Sequence, residues 1–112
     1  MTRAEVEVLV SNELAECSPE QRAVFEKYRV PAREVAIERY GQQEHVFIVA
    51  IRESEAMYYE DVELGFNFSP IGEDGRILQH WCNQDDLSAA LWHWMGHPRK
   101  WWAGPAQPFE VK

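Results

Sequence analysis

Two capping-box signatures, a change of apolar period after Arg33 and a glycine-proline stop near the end predict an α+β fold. Its order is two N-terminal helices, a four-stranded antiparallel meander, a C-terminal helix and an aromatic-rich tail, or ααββββα. Residues 1–98 read as a single α+β domain and residues 99–112 as a C-terminal arm. A chain of 112 residues, 46% hydrophobic and 27% charged, can bury one core, and no second domain fits in that length.

Thr2 and Glu5 have the spacing at which a hydroxyl and a carboxylate cap a helix start reciprocally, so a first helix is expected from Arg3 to Glu16. Val6, Leu9, Val10, Leu14 and Cys17 recur at intervals of three or four and form its core stripe. Ser18-Pro19-Glu20-Gln21 is a second start: Ser18 caps, and Pro19 occupies a first-turn position where its missing donor costs nothing. This helix reaches about Arg29, buries Val24, Phe25 and Tyr28, and stops because Pro31 disfavours helical angles in the residue before it.

From Glu34 to Tyr40, Val35 and Ile37 alternate with charged residues, as a half-buried strand requires. After a turn at Gly41–Glu44, the run from His45 to Ile51 is apolar on both faces. It reads as a central strand covered on each side, or shielded on one side by a partner. A third strand is expected to start near Met57 and to continue past Val62, with Val62, Leu64, Phe66 and Phe68 facing the core. Asp61, Glu63 and Asn67 then face water, and Gly65 suggests a bulge in mid-strand. Pro70–Gly75 turns the chain, and a fourth strand is expected over Ile77–Cys82. Asn83 then caps a third helix over Gln84–Met95, which buries Leu87, Ala90, Leu91, Trp94 and Met95 and ends at Gly96 and Pro98.

Nineteen acids against eleven bases give a net charge of −8, which repels a phosphate backbone, so nucleic acid is not an expected partner. Glu53, Glu55, Glu60, Asp61 and Glu63 fall within eleven residues with no base between them. Such acids either keep the protein in solution or steer a basic partner towards it. No apolar run approaches the ~20 residues that cross a bilayer, and the first residues carry acids where a signal peptide is apolar. No membrane association and a cytoplasmic location are expected. Cys17 and Cys82 are too few for a disulfide framework and read as reduced thiols.

All five tryptophans, Trp81, Trp92, Trp94, Trp101 and Trp102, lie within 22 residues, and the arm after Pro98 holds too much proline and glycine for a helix. Its Trp101, Trp102 and Phe109 either dock on another subunit or partner, or fold back over the domain's own helix and sheet. His80 and Cys82 share a strand face, and His93 and His97 have the one-turn spacing of paired metal ligands. His97 lies beyond Gly96, however, and no paired-cysteine motif accompanies it. Phosphate-cradling loops, a nucleophile elbow and a dinucleotide fingerprint are all lacking, so neither catalysis nor a cofactor is expected.

The stretch Tyr58-Tyr59-Glu60-Asp61-Val62-Glu63-Leu64-Gly65-Phe66-Asn67-Phe68-Ser69-Pro70, with Asp74–Leu78 and Asn83–Leu87, resembles small bacterial proteins carried on mobile integron gene cassettes. The resemblance covers about a third of the chain and none of the Trp-rich tail. It implies a short α+β protein, often dimeric, and carries no activity and no site residues with it.

Two functional readings come first. One is a non-catalytic acidic interaction module, a homodimer, of the inhibitor or immunity type, that binds a basic partner through Glu60, Asp61, Glu63, Asn67, Trp101 and Trp102. The alternative is a small-molecule binding module with a pocket between the sheet and the third helix, lined by Phe47, Phe66, Phe68, Trp81 and Trp94. A third is a metal-binding protein using His80, Cys82, His93 and His97.

Overall fold

Thr2 and Ser18 start the two N-terminal helices. In the computed structural model, which describes residues 1–39, 41–62, 64–80, 84–96 and 109–110, α1 spans Arg3–Ala15 and α2 spans Pro19–Tyr28. The Thr2 hydroxyl accepts the Glu5 N–H at 3.2 Å while the Glu5 carboxylate accepts the Thr2 N–H at 2.9 Å. Ser18 and Gln21 repeat the exchange at 3.1 and 2.8 Å. Each pair satisfies two donors that a helix start leaves open, a contribution of about 1 kcal/mol.

The chain passes directly from α2 into β1 (Arg29–Arg39), earlier than period-two alternation alone places the strand, because Pro31 favours extended backbone on its N-terminal side. β1 pairs with β2 (Gln42–Arg52), β2 with β3 (Glu55–Glu60) and β3 with β4 (Gly65–Pro70), all antiparallel, in the order β1-β2-β3-β4. This is the α+β fold, with a four-stranded meander between helices, that the sequence predicts.

The last two strands of the meander differ from those expected. The run from Met57 to Phe68 is broken by a turn and supplies both β3 and β4. Glu60 Oε1 accepts the Val62 N–H at 2.6 Å, Leu64 takes a left-handed φ of 59°, and the chain reverses so that Gly65 pairs with Glu60. Phe66 and Phe68 are buried as expected, whereas Val62 and Leu64 sit exposed in the turn. Gly65 is a regular pairing partner, and the irregularities of register fall instead between Ile48 and Ala50 and between Arg29 and Arg33. The segment expected as the fourth strand lies outside the meander: Ile77 bridges Ile71, and Gln79–His80 forms β5, which pairs with β6 (Phe109–Glu110) in a separate two-stranded sheet.

Both faces of the sheet are apolar, as the composition of β2 requires. On one, Phe47, Val49, Met57, Tyr59, Phe66 and Phe68 pack against Val6 and Val10 of α1, Phe25 of α2, and Leu87, Leu91 and Trp94 of the third helix. On the other, Ile37, Val46, Ile48, Ala56 and Tyr58 lie beneath Ile77. Ser69 fastens the chain that crosses this second face. Its Oγ accepts the N–H groups of Leu78 at 3.1 Å and Gln79 at 2.9 Å and donates to the Pro70 carbonyl at 2.7 Å.

The third helix, α3 (Leu87–Trp94), is shorter than expected and is capped by Asp86, whose carboxylate accepts the Ala89 N–H at 2.8 Å. Phe66 donates its N–H to the Asp85 carbonyl at 2.8 Å, and this bridge draws Asp85 into extended backbone. Asn83, the expected cap, lies outside the described residues. Gly96 closes the helix with φ 91°, as expected of a glycine there. Among the described residues no helix is long and apolar enough to cross a membrane.

The first turn of α3 is held by the other two helices. Glu13 Oε1 accepts the Leu87 N–H at 2.8 Å, and Gln21 Nε2 donates to the Ser88 carbonyl and hydroxyl, both at 3.0 Å. Burial raises the Glu13 pKa and the neighbouring Asp86 charge adds to the rise, against the lowering effect of the Leu87 N–H. Because the folded state holds this proton more tightly than the unfolded chain, Glu13 costs stability as pH rises through its folded pKa. The cost is relieved below its ordinary value of 4.5. Glu13→Gln keeps the acceptor without the charge. Urea unfolding of the variant is expected to show higher stability at neutral pH, by less than about 1 kcal/mol given partial solvation, and a gap that closes on acidification.

Candidate interaction surface

The acidic run does not form one patch. Glu53 and Glu55 lie at one end of β3 and Asp61 at the other, separated by a strand's length of ~17 Å at the usual rise per residue. Glu55 is engaged, its Oε1 accepting the Trp94 indole N–H at 2.6 Å. Glu60, expected on the surface, is 1% exposed, and Asn67, expected on a wet face, is 0% exposed. Both sit on the second face of the sheet with Tyr58, since Tyr58 pairs with Asn67 across the strands and Glu60 follows two residues on. A partner therefore cannot reach either side chain without opening the fold. Asp61 remains accessible, with its Oδ2 3.2 Å from the Met1 amino nitrogen. Glu63, Trp101 and Trp102 lie outside the described residues.

Four of the five residues expected to line an aromatic pocket are buried in the core. Phe47, Phe66, Phe68 and Trp94 belong to one buried cluster, with Phe68 and Trp94 ring centroids 5.3 Å apart and Phe66 meeting the Tyr59 ring edge-on at 4.9 Å. These rings fill the space between sheet and helix because both contributing faces are apolar and α3 lies directly on β4. Trp81 lies outside the described residues.

His80 and His93 are separated by the sheet. His80 Nδ1 is 3.0 Å from the Tyr58 hydroxyl on the second face, whereas the His93 ring lies 5.1 Å from Phe68 on the helical face. A strand layer between two imidazoles prevents them from gripping one ion, so the expected set of His80, Cys82, His93 and His97 is not a single site. Cys82 and His97 lie outside the described residues, and among those described no group of three or more His, Cys, Asp or Glu could hold a metal. Cys17 is buried, its Sγ donates to the Glu13 carbonyl at 3.4 Å, and burial raises its pKa, so its thiol is kept protonated and shielded.

What the fold does present is apolar. Met1 (47% exposed) just before α1, Val8 (61%) on α1, and Val62 (60%) and Leu64 (64%) in the β3–β4 turn are exposed large hydrophobic residues, as is Trp92 (46%) on α3. Met1 and Val8 line an open depression of about 530 Å³ with Ala4, Leu9, Glu5 and Asn12. Through its contact with Asp61, Met1 also joins this depression to the turn that carries Val62 and Leu64. Leu64 combines exposure with a left-handed φ that a bulky side chain rarely adopts. The sequence signal for this surface was Val8, an apolar residue outside the α1 core stripe. The turn itself was masked by the apolar alternation from Val62 to Phe68.

No protein-family model matches the chain, and no curated protein or solved structure matches it.

Proposed function

We propose that this protein is a non-catalytic interaction module that binds a basic protein partner, as an inhibitor or immunity-type protein does, through α1 and the β3–β4 turn. The observation that carries this reading is the exposed set of Met1, Val8, Val62 and Leu64, with Glu5 and Asp61 beside it, in a chain of net charge −8. Protein interfaces combine a desolvated apolar centre with a polar rim, and complementary charge speeds encounter and rejects wrong partners. A partner that offers an apolar anchor ringed by lysines and arginines matches that pattern. A second copy of the chain is the other occupant this face suits, and the resemblance to short, often dimeric cassette proteins supports it.

The test pairs Val8→Asp with Leu64→Asp. Both side chains are exposed, so thermal unfolding is expected to change by no more than about 0.5 kcal/mol per site. Native mass spectrometry of wild type and variant then reads subunit number, and affinity capture with protein identification reads partners. The reading expects basic proteins bound by wild type and lost by the double variant, with any dimer lost alongside. Equal capture and equal subunit number in the two proteins would overturn it, as would captured proteins with no excess of basic residues.

A further inference from the structure

On the opposite side of α1, the register irregularity of β1 opens a second groove. Between the pairs Arg29–Ala50 and Arg33–Ile48 β1 advances four residues against two of β2, around Pro31, which has no N–H to pair, while the Ala32 N–H is taken by Glu7 Oε1 at 2.7 Å. The result is a groove of about 560 Å³ floored by Val30, Pro31 and Ile51 and flanked by Arg3 and Arg33. That volume is within the range of small-molecule sites.

The charges in this groove are unusual for the chain. Arg29 nearby is neutralised by Glu7 at 3.3 Å and Glu26 at 3.2 Å. Arg3 makes no hydrogen bond or ion pair with any described residue, although the protein has eight more acids than bases. Arg33 is fixed by a neutral partner, donating from Nη2 to the Gly75 carbonyl at 3.2 Å. Its guanidinium lies where a side chain on Gly75 would stand, 2.7 Å from the position of a Cβ, so the glycine leaves room for it. Glu34, the acid among the described residues that line the groove, faces His45 at 3.5 Å.

We propose that this groove binds a small organic acid with an apolar chain, its carboxylate held by Arg3 and Arg33 and its chain laid on Val30, Pro31 and Ile51. Two guanidiniums with no carboxylate partner among the described residues, one of them fixed at the Gly75 carbonyl, offer charge-assisted hydrogen bonds to one anion. The apolar floor contributes by removing the chain from water. This site is independent of the α1 and turn surface, whose Val8 and Leu64 it does not use.

Octanoate is the probe, with octanol as its uncharged counterpart, followed by amide chemical shifts of the ¹⁵N-labelled protein. Octanoate is expected to move the amides of Val30, Ala32, Arg33 and Ile51 and to bind at least tenfold more tightly than octanol. Arg3→Gln is expected to weaken octanoate about tenfold while leaving the melting curve unchanged, because Arg3 has no hydrogen-bond or ion-pair partner among the described residues. Arg33→Gln is expected to weaken octanoate by a similar factor, with the spectrum reporting whether the fold is intact after loss of the Arg33–Gly75 bond. Shifts confined to other parts of the protein would overturn the proposal. So would octanoate affinity that is unchanged in Arg3→Gln, or equal binding of octanol.

Discussion

Trp94→Ala is expected to destabilise the protein by about 3–5 kcal/mol in urea or thermal unfolding, a large share of the ~5–15 kcal/mol available to a domain of this size. The residue is a junction between layers. Its ring packs at 5.3 Å on Phe68 of β4 and at 5.7 Å edge-on to Tyr28 of α2. Its indole N–H goes to Glu55 at 2.6 Å, and the Arg52 guanidinium lies 4.9 Å from the ring while donating from Nη1 to the Trp94 carbonyl at 2.6 Å. Arg52 thus supplies a cation and a donor at the negative end of α3, and the β2–β3 turn is tied to that helix through one side chain. Alanine removes the packing and the indole donor together. Trp94→Phe retains most of the packing and leaves the Glu55 carboxylate without that donor, for an expected loss of about 1–2 kcal/mol. A Trp94→Ala loss below about 1 kcal/mol would show that these layers are held together elsewhere.

How much of this was legible in the sequence depends on the range of the interaction. The caps of α1 and α2 were readable because a capping box is complete within four residues, and the α3 stripe of Leu87, Ala90, Leu91 and Trp94 because helical period is local. The fold class followed. The β3–β4 turn was not readable, because Val62, Leu64, Phe66 and Phe68 alternate as a strand would. What breaks the strand is a carboxylate reaching forward two residues and one left-handed leucine, neither of which has a composition signal. Missing that turn also misplaced Glu60 relative to Phe66 and Phe68. Asn67 lies opposite Phe66 and Phe68, as alternation predicts, but that face is covered by the segment carrying Ile77, and the hairpin brings Glu60 onto the same buried face. The Arg3–Arg33 groove depends on α1 lying against β1, a contact between distant residues that no local pattern announces.

The second face also carries the other large expected effect. Ser69 is 1% exposed, and one hydroxyl serves three backbone groups, accepting from Leu78 and Gln79 and donating to Pro70. Ser69→Ala removes the acceptor shared by two N–H groups as the chain leaves the sheet. Leu78 keeps a longer bond to the Pro70 carbonyl at 3.2 Å, so the loss falls chiefly on Gln79. The expected cost is about 2–3 kcal/mol, the penalty for stranding a buried donor together with the lost net bond. It should be local before it is global. Amide exchange at Leu78 and Gln79 is expected to accelerate by a larger factor than exchange in α1, which packs on the opposite face, and the adjacent His80 ring should lose its ordered contact with Tyr58. Uniform acceleration across both faces would mean that the crossing segment and the helical layer unfold as one unit. A Ser69→Ala cost under about 0.5 kcal/mol would mean that the hydroxyl does not anchor the segment covering Ile48 and Tyr58, which Ile77 packing and the remaining backbone bonds then hold.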